Sequence, residues 1–254
     1  MARSLIIGGT RGLGRALAIG SLRRGITPIV TGRFRSLEQA KIDPELQGAE
    51  FHQFDLDYPA MIGSSGLAWG DISQVFWVAG IFMRSKVIET ATEDIERMIS
   101  THLLGPIVTL REIVQLMKCG VNWDKTFQPP NKPFHLVTIG STSSWKVRDN
   151  EAIYCALKAA KAHFTRNFAR ELVAELPGSK VTLVNPGGIK TPDFWQGSGQ
   201  DISGYIEPSD LAELIWNEVL AQEQPFAEFQ VLRHPTAPGE FYVQRGPHTP
   251  EQPF

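Results

Sequence analysis

Residues 4–18 read "SLIIGGTRGLGRALA". A short apolar run meets a glycine cluster, and a helical pattern follows. The glycines at 8, 12 and 14 fall in a G-x-x-x-G-x-G spacing. Glycine suits a sharp turn from strand to helix, because it carries no Cβ to clash there. The same lack lets the backbone come close to a pyrophosphate, while the helix that follows offers that anion free N–H groups and a partial positive end. The stretch predicts a dinucleotide-binding turn at the head of a βαβ unit.

The rest of the chain continues the alternation. Strand-like runs begin at Ser4, Thr27, Glu50, Gln74, Phe134, Val181 and Glu228. Several are almost wholly apolar, as parallel strands covered on both faces must be. Helical patterns fall around 13–24, 93–117, 151–176 and 209–221. Strands alternating with helices predict an α/β fold with right-handed crossovers: a doubly wound, mostly parallel sheet of about seven strands flanked by helices. Residues 118–133 read as a long loop, and the tail from about 234, rich in proline, as irregular chain, edge cover or disorder. No linker or repeat divides the chain, so one domain over 1–254 is expected.

Composition narrows the function. At 42% apolar and 20% charged residues, the chain can bury a substantial core. A formal net charge of -2 gives no reason to expect a nucleic-acid partner. No apolar run approaches the ~18 residues of a membrane span. Two cysteines, Cys119 and Cys155, suit neither a disulfide framework nor a structural zinc site, so no metal is expected. No charged-then-apolar leader opens the chain, and a cytoplasmic location is expected.

Two further stretches carry chemistry. The second strand ends "VTGRFR", with Arg33 and Arg35 and no acid where an NAD site places a carboxylate for the ribose. Arg11 sits inside the glycine turn. Guanidinium forks suit a 2′-phosphate, so NADP(H) is favoured over NAD(H). Farther on, "FHLVTIGS" delivers Ser141 at a strand's carboxyl end, where open parallel sheets bind ligands. In "IYCALKAAKAHF", Tyr154 and Lys158 stand at i,i+4 and so share a helix face, beside an apolar stripe of Ile153, Leu157, Ala160, Phe164, Phe168 and Leu172. An ammonium near a phenol draws its pKa down from about 10. A proton donor, its activator and a hydroxyl clamp suit hydride chemistry on a carbonyl or alcohol.

Taken in order, these residues resemble the short-chain dehydrogenases/reductases, the compact Rossmann-fold branch of oxidoreductases, up to about residue 232. The glycine turn, Asp55 after the third strand, Ala79-Gly80 after the fourth, Ser141 thirteen residues before Tyr154, Tyr-x-x-x-Lys, and Pro186-Gly187 with Thr191 all match. The resemblance implies Tyr154 as general acid/base, Lys158 as ribose ligand and activator, and Ser141 as substrate clamp. It implies coenzyme contacts from Gly8, Thr10, Arg11, Gly12, Leu13 and Gly14, from Arg33, from Asp55 and Leu56 near the adenine, from Ala79 and Gly80, from Tyr154 and Lys158, and from Pro186, Gly187, Ile189 and Thr191 beside the nicotinamide. It also implies a homo-oligomer, dimer or tetramer.

Two positions depart from the family pattern. Its Asn-Asn-Ala-Gly is Trp77-Val78-Ala79-Gly80 here, and its fourth catalytic residue, an asparagine, is His102. The family's helix is kinked there, and a water on the backbone carbonyl links the lysine to solvent. Pro106, four residues on from His102, cannot close the usual backbone bond to that carbonyl. Phe82, Met83, Trp145, Phe194 and Trp195 are candidates for an apolar substrate pocket. The expected activity is NADP(H)-dependent interconversion of a small-molecule carbonyl and alcohol. The alternative is a non-catalytic NADP(H)-binding sensor or scaffold on the same fold.

Overall fold

The computed structural model describes residues 2–33, 43–56, 72–119 and 133–247. Strand β1 (Arg3–Ile7) shows why the first run is apolar throughout. Leu5 and Ile7 pack into one helical layer and Ile6 into the opposite one, so successive side chains all leave water. The same alternation places Val75 and Trp77 on one side of β4 (Ile72–Trp77) and Phe76 on the other.

The other strands are β2 (Thr27–Gly32), β3 (Glu50–Gln53), β5 (His135–Ile139), β6 (Lys180–Pro186), β7 (Phe226–Arg233) and β8 (Phe241–Arg245). They form one 8-stranded sheet in the order β3-β2-β1-β4-β5-β6-β7-β8. All neighbours are parallel except β7 and β8. After β3 the chain crosses back over β1 to place β4 on its other side. The connections from β1 and β4 therefore leave in opposite directions and open a crevice at the strands' carboxyl ends.

Helices α1 (Gly12–Arg23) and α6 (Pro208–Ala221) cover one face, with Leu17, Ala18, Ile215 and Trp216 against Ile6, Val30 and Phe76. The other face is covered by α3 (Gly105–Cys119) and α4 (Ala152–Glu175), through Leu110, Ile113 and Leu172. Among the described residues no helix is long and apolar enough to cross a membrane.

Three expectations are corrected. The tail is not wholly irregular: it returns as β8, antiparallel to β7, and raises the strand number to eight. The helix expected over 93–117 is split into α2 (Thr92–Ile99), a π turn (Ser100–Leu104) and α3. In that turn the Gly105 amide bonds the Ser100 carbonyl five residues back, and Pro106, with no N–H, follows directly. Finally, the buried face of α4 is not the stripe through Phe164 and Phe168. It runs through Tyr154, Leu157, Lys158, Lys161, Ala162, Thr165, Ala169 and Leu172, so that of the expected stripe Leu157 and Leu172 are buried while Phe164 and Phe168 are half-buried at its flank. Arg35 and residues 120–132 of the expected loop lie outside the described residues.

A buried histidine makes the fold acid-sensitive. His135 opens β5 with Nε2 2.7 Å from the Thr182 hydroxyl. Burial, helped by Lys180, pushes its pKa down to about 4. Between that value and the ordinary ~6.5, the unfolded chain binds the proton and the folded one does not. Stability is therefore lost as pH falls through this window, by up to about 3 kcal/mol. In urea unfolding from pH 7 to 4, His135→Gln should lose stability less steeply than the wild type; equal slopes would remove His135 as the cause.

Candidate active site

The glycine turn is shaped by contacts that leave no room for a side chain. Gly8 has φ +88°, and a Cβ there would sit 2.8 Å from the Ala79 backbone. A Cβ on Gly14 would lie 2.1 Å from the Gly8 carbonyl oxygen. The Ala79 amide donates to the Ile7 carbonyl at 2.8 Å, which ties the exit of β4 to that of β1. Helix α1 starts behind this turn with no side-chain cap and no acid in its first turn. Its leading amides are thus left for an anion.

A cavity of about 1350 Å³ lies over the carboxyl ends of the strands. Among the described residues, every coenzyme and catalytic candidate from the sequence lines it except His102. At the β2 end it is bordered by Arg33, Asp55 and Leu56, and also by Arg15 and Asp43, which sequence reading missed. Arg15 grips Asp43 at 2.5 and 3.0 Å and Glu45 at 2.6 Å. The guanidinium holds the Asp43 carboxyl below its usual range. Arg11 reaches across the cavity to Asp193 at 3.1 Å, in an exposed pair that is worth at most ~1 kcal/mol.

Ser141 follows β5, and its hydroxyl accepts from the Ser143 amide at 3.0 Å. Its own amide donates to Asn185 Oδ1 at 3.3 Å. Asn185 donates in turn to Glu228 at 3.0 Å, and Arg166 clasps Glu228 at 2.8 and 2.7 Å. Asn185 and Glu228 are buried. Sequence reading missed this support, although a polar Asn185 inside the apolar run "VTLVNP" was its signal.

Tyr154 is only 5% exposed, with its ring edge-on to Phe82 at 5.0 Å and to His102 at 5.6 Å. The phenol is not acidified here, contrary to the reading from Lys158. Burial raises its pKa above the ordinary value, opposed by the Ser141 hydroxyl. The reason is geometric: the Lys158 amine donates to the carbonyls of Gly140 at 3.2 Å and Ile139 at 3.5 Å, and lies 5.6 Å from the Tyr154 ring centre. Burial lowers the Lys158 pKa to about 8.

His102 sits in the π turn, fully buried, with Nε2 2.6 Å from the Ile81 carbonyl. Nε2 also lies 3.2 Å from the Ile81 amide, so it faces both polar groups of one backbone residue, and Nδ1 is buried without a hydrogen-bond partner. Burial, with Lys158 and Lys161 nearby, keeps the ring neutral by lowering its pKa well below the ordinary value. The imidazole is turned to backbone, outside the cavity wall. Lys161 is wholly buried, its amine 3.9 Å above the Trp77 ring. Trp77, in place of the family's asparagine, thus covers a lysine at the next turn of α4 and packs in the core.

The apolar wall is assembled from Phe82, Met83, Phe194 and Trp195; Trp145 is not part of it. Phe194 and Trp195 belong to the short helix α5 (Pro192–Trp195), and Phe82 packs on Trp195 at 4.6 Å. Among the described residues no cluster of histidine, cysteine and carboxylates is placed to hold a metal ion.

A doubly wound sheet in this order is a Rossmann fold, and comparison with known proteins gives its family. The chain belongs to the short chain dehydrogenase family, whose model matches residues 3–201. It is 27% identical over 230 residues to the NADP-dependent 3-hydroxy acid dehydrogenase YdfG of Salmonella typhi, covering 84% of this chain and 86% of that protein. It is 25% identical over 228 residues to the NADP-dependent (R)-specific alcohol dehydrogenase of Lentilactobacillus kefiri, covering 82% and 85%. The solved structure of ElxO with NADP bound has the same fold, with a TM-score of 0.73 at 20% identity over 90% of this chain and 96% of that one.

Proposed function

We propose that the protein is an NADP(H)-dependent oxidoreductase that interconverts a carbonyl and an alcohol. One observation carries this reading: the buried Tyr154 phenol lies beside the Ser141 hydroxyl, one helical turn from Lys158, in the same cavity as the glycine turn. The coenzyme fits the chain's own features, because Gly8 and Gly14 keep the turn bare and α1 presents uncapped amides. It would be held by that turn, by Arg33, Asp55 and Leu56, by Ala79-Gly80, by Lys158, and by the segment from Pro186 to Thr191. When bound, it supplies or accepts the hydride.

Ser141 donates a hydrogen bond to the substrate oxygen and fixes it. Tyr154, kept protonated by burial, gives its proton to that oxygen as negative charge develops in reduction. Lys158, with a pKa near 8, changes charge close to neutral pH and returns a proton toward the phenol. The direct test is a panel of carbonyls and alcohols with NADPH, NADH and their oxidised forms, followed at 340 nm. Binding of NADPH with no turnover on a broad panel would favour the sensor reading.

The 2′-phosphate preference rests on Arg33 at the end of β2, together with the NADP dependence of the two relatives. The nearby Asp43 is already neutralised by Arg15 and offers no free acid to the ribose. A hydrogen bond to a charged group is worth ~1.5–3 kcal/mol, so Arg33→Ala should weaken NADPH by roughly 10- to 150-fold. NADH binding should barely change. Equal weakening of both coenzymes would overturn the assignment.

For the proton path, the backbone of His102 is the proposed link, not its imidazole. The ring's Nε2 faces the Ile81 backbone and the imidazole lies outside the cavity wall, while the residue four places on from the His102 carbonyl is Pro106, which has no N–H. His102→Asn and His102→Leu should both keep turnover within about tenfold, or ~1.4 kcal/mol. A folded, NADPH-binding His102→Leu that is dead beside an active His102→Asn would assign the relay to the side chain.

A further inference from the structure

A second cavity, of about 350 Å³, adjoins the first. Its walls carry Lys146, Arg148, Arg233 and His234, and no Asp or Glu. Arg148 and Arg233 line both cavities, together with Thr142, Gly187 and Gly188. Arg148 donates to the Thr142 hydroxyl at 3.3 Å, next in sequence to Ser141. Its Nε is buried without a hydrogen-bond partner and lies 3.8 Å from Glu151. Arg233 stacks its guanidinium over the Tyr205 ring at 4.4 Å. Lys146 and Arg233 are exposed and Arg148 half-buried; partial desolvation, with Arg148 and Arg233 nearby, lowers the pKa of Lys146.

Three cations, two from the segment before α4 and one from the end of β7, thus line one space. Glu151, the carboxylate beside Arg148, is itself buried, and burial raises its pKa. Like charges gathered on one wall repel, and an anion between them relieves that repulsion. The planar forks of two arginines match a carboxylate or phosphate. This group is not the one that meets the coenzyme's adenosine phosphate. Arg33 follows β2 and Arg233 ends β7, five strand spacings away, or about 24 Å. Arg233 is only two spacings from β5, which delivers Ser141, or about 10 Å.

We propose that Arg148 and Arg233, with Lys146, form an anion subsite that selects substrates bearing a carboxylate or phosphate a few bonds from the reacting carbonyl or alcohol. The proposal rests on the oxidoreductase reading and adds the substrate class to it. The cations anchor the acidic end, and Ser141 and Tyr154 receive the oxygen at the other.

The test uses matched pairs: acetoacetate against methyl acetoacetate, and dihydroxyacetone phosphate against dihydroxyacetone, each with NADPH at 340 nm. In at least one pair the anion should exceed its neutral partner in kcat/KM by at least ~10-fold, and the pair that does so tells carboxylate from phosphate. Arg148→Met and Arg233→Met, each checked for folding and NADPH binding, should cut that anion-to-neutral ratio by ~10- to 150-fold, mainly through KM. Neutral members used as well as the anions, or variants that lower both members alike, would overturn the subsite. If none of the four compounds is reduced, calorimetry of the two anions with the NADP⁺-loaded protein decides. Binding that weakens at least tenfold in Arg233→Met keeps the subsite and counts against the oxidoreductase reading; no binding of either anion sinks the subsite.

Discussion

Tyr154→Phe should lower turnover by at least ~100-fold, the scale of a lost general acid. It should leave the fold and NADPH affinity close to wild type. The ring of Tyr154 packs against Phe82, His102 and Phe194, and phenylalanine preserves all three contacts. Only the hydroxyl beside Ser141 is removed. Steady-state rates and NADPH titration of the same preparation separate the two effects. A variant that turns over at the wild-type rate would move the acid elsewhere in the cavity.

Gly14→Ala sets two principles against each other. Alanine is the better helix former by ~1 kcal/mol, and Gly14 lies in the first turn of α1, so propensity alone favours the variant. The added Cβ, however, would lie 2.1 Å from the Gly8 carbonyl oxygen, and backbone cannot yield as a side chain tip does. Overpacking costs ~1–3 kcal/mol, and here the displacement falls on the turn meant to meet the pyrophosphate. The expected result is a lower melting temperature and NADPH affinity reduced by about 100-fold or more, a shift of ~2.7 kcal/mol. A stabilised variant with intact NADPH binding would show that the turn relaxes freely.

Much of this molecule could be read from local pattern. The central strands announce themselves because Leu5, Ile6 and Ile7 are buried on alternating faces. The glycine turn is legible because only glycine fits against Ala79 and the Gly8 carbonyl. Ser141, Tyr154 and Lys158 could be paired because strand end and helix spacing place them together on one cavity wall. What failed to show was long-range. Lys161 reads as a surface lysine, and only the packing of Trp77 beneath it reveals a buried amine. The phenol's raised pKa depends on burial and on where the Lys158 amine points, and neither has a sequence signal. The Arg15–Asp43 clasp joins residues from separate elements. β8 was hidden by the prolines around it, although "EFYVQR" alternates in the manner of a half-exposed strand.

That last strand has a consequence for the chain's behaviour in company. β7 is eight residues long and continues apolar through Phe229 and Val231. Left bare, its row of N–H and C=O groups would be a template for another molecule's strand. β8 occupies that row, and in its place the border of the sheet becomes a strand of five residues ending in Gln244 and Arg245, with Arg245 paired to Glu218. The opposite border, β3, is only four residues long. Short and polar margins discourage strand-by-strand growth between copies. A chain cut before Phe241 would keep the residues that line the large cavity and leave the long edge of β7 open to strand addition.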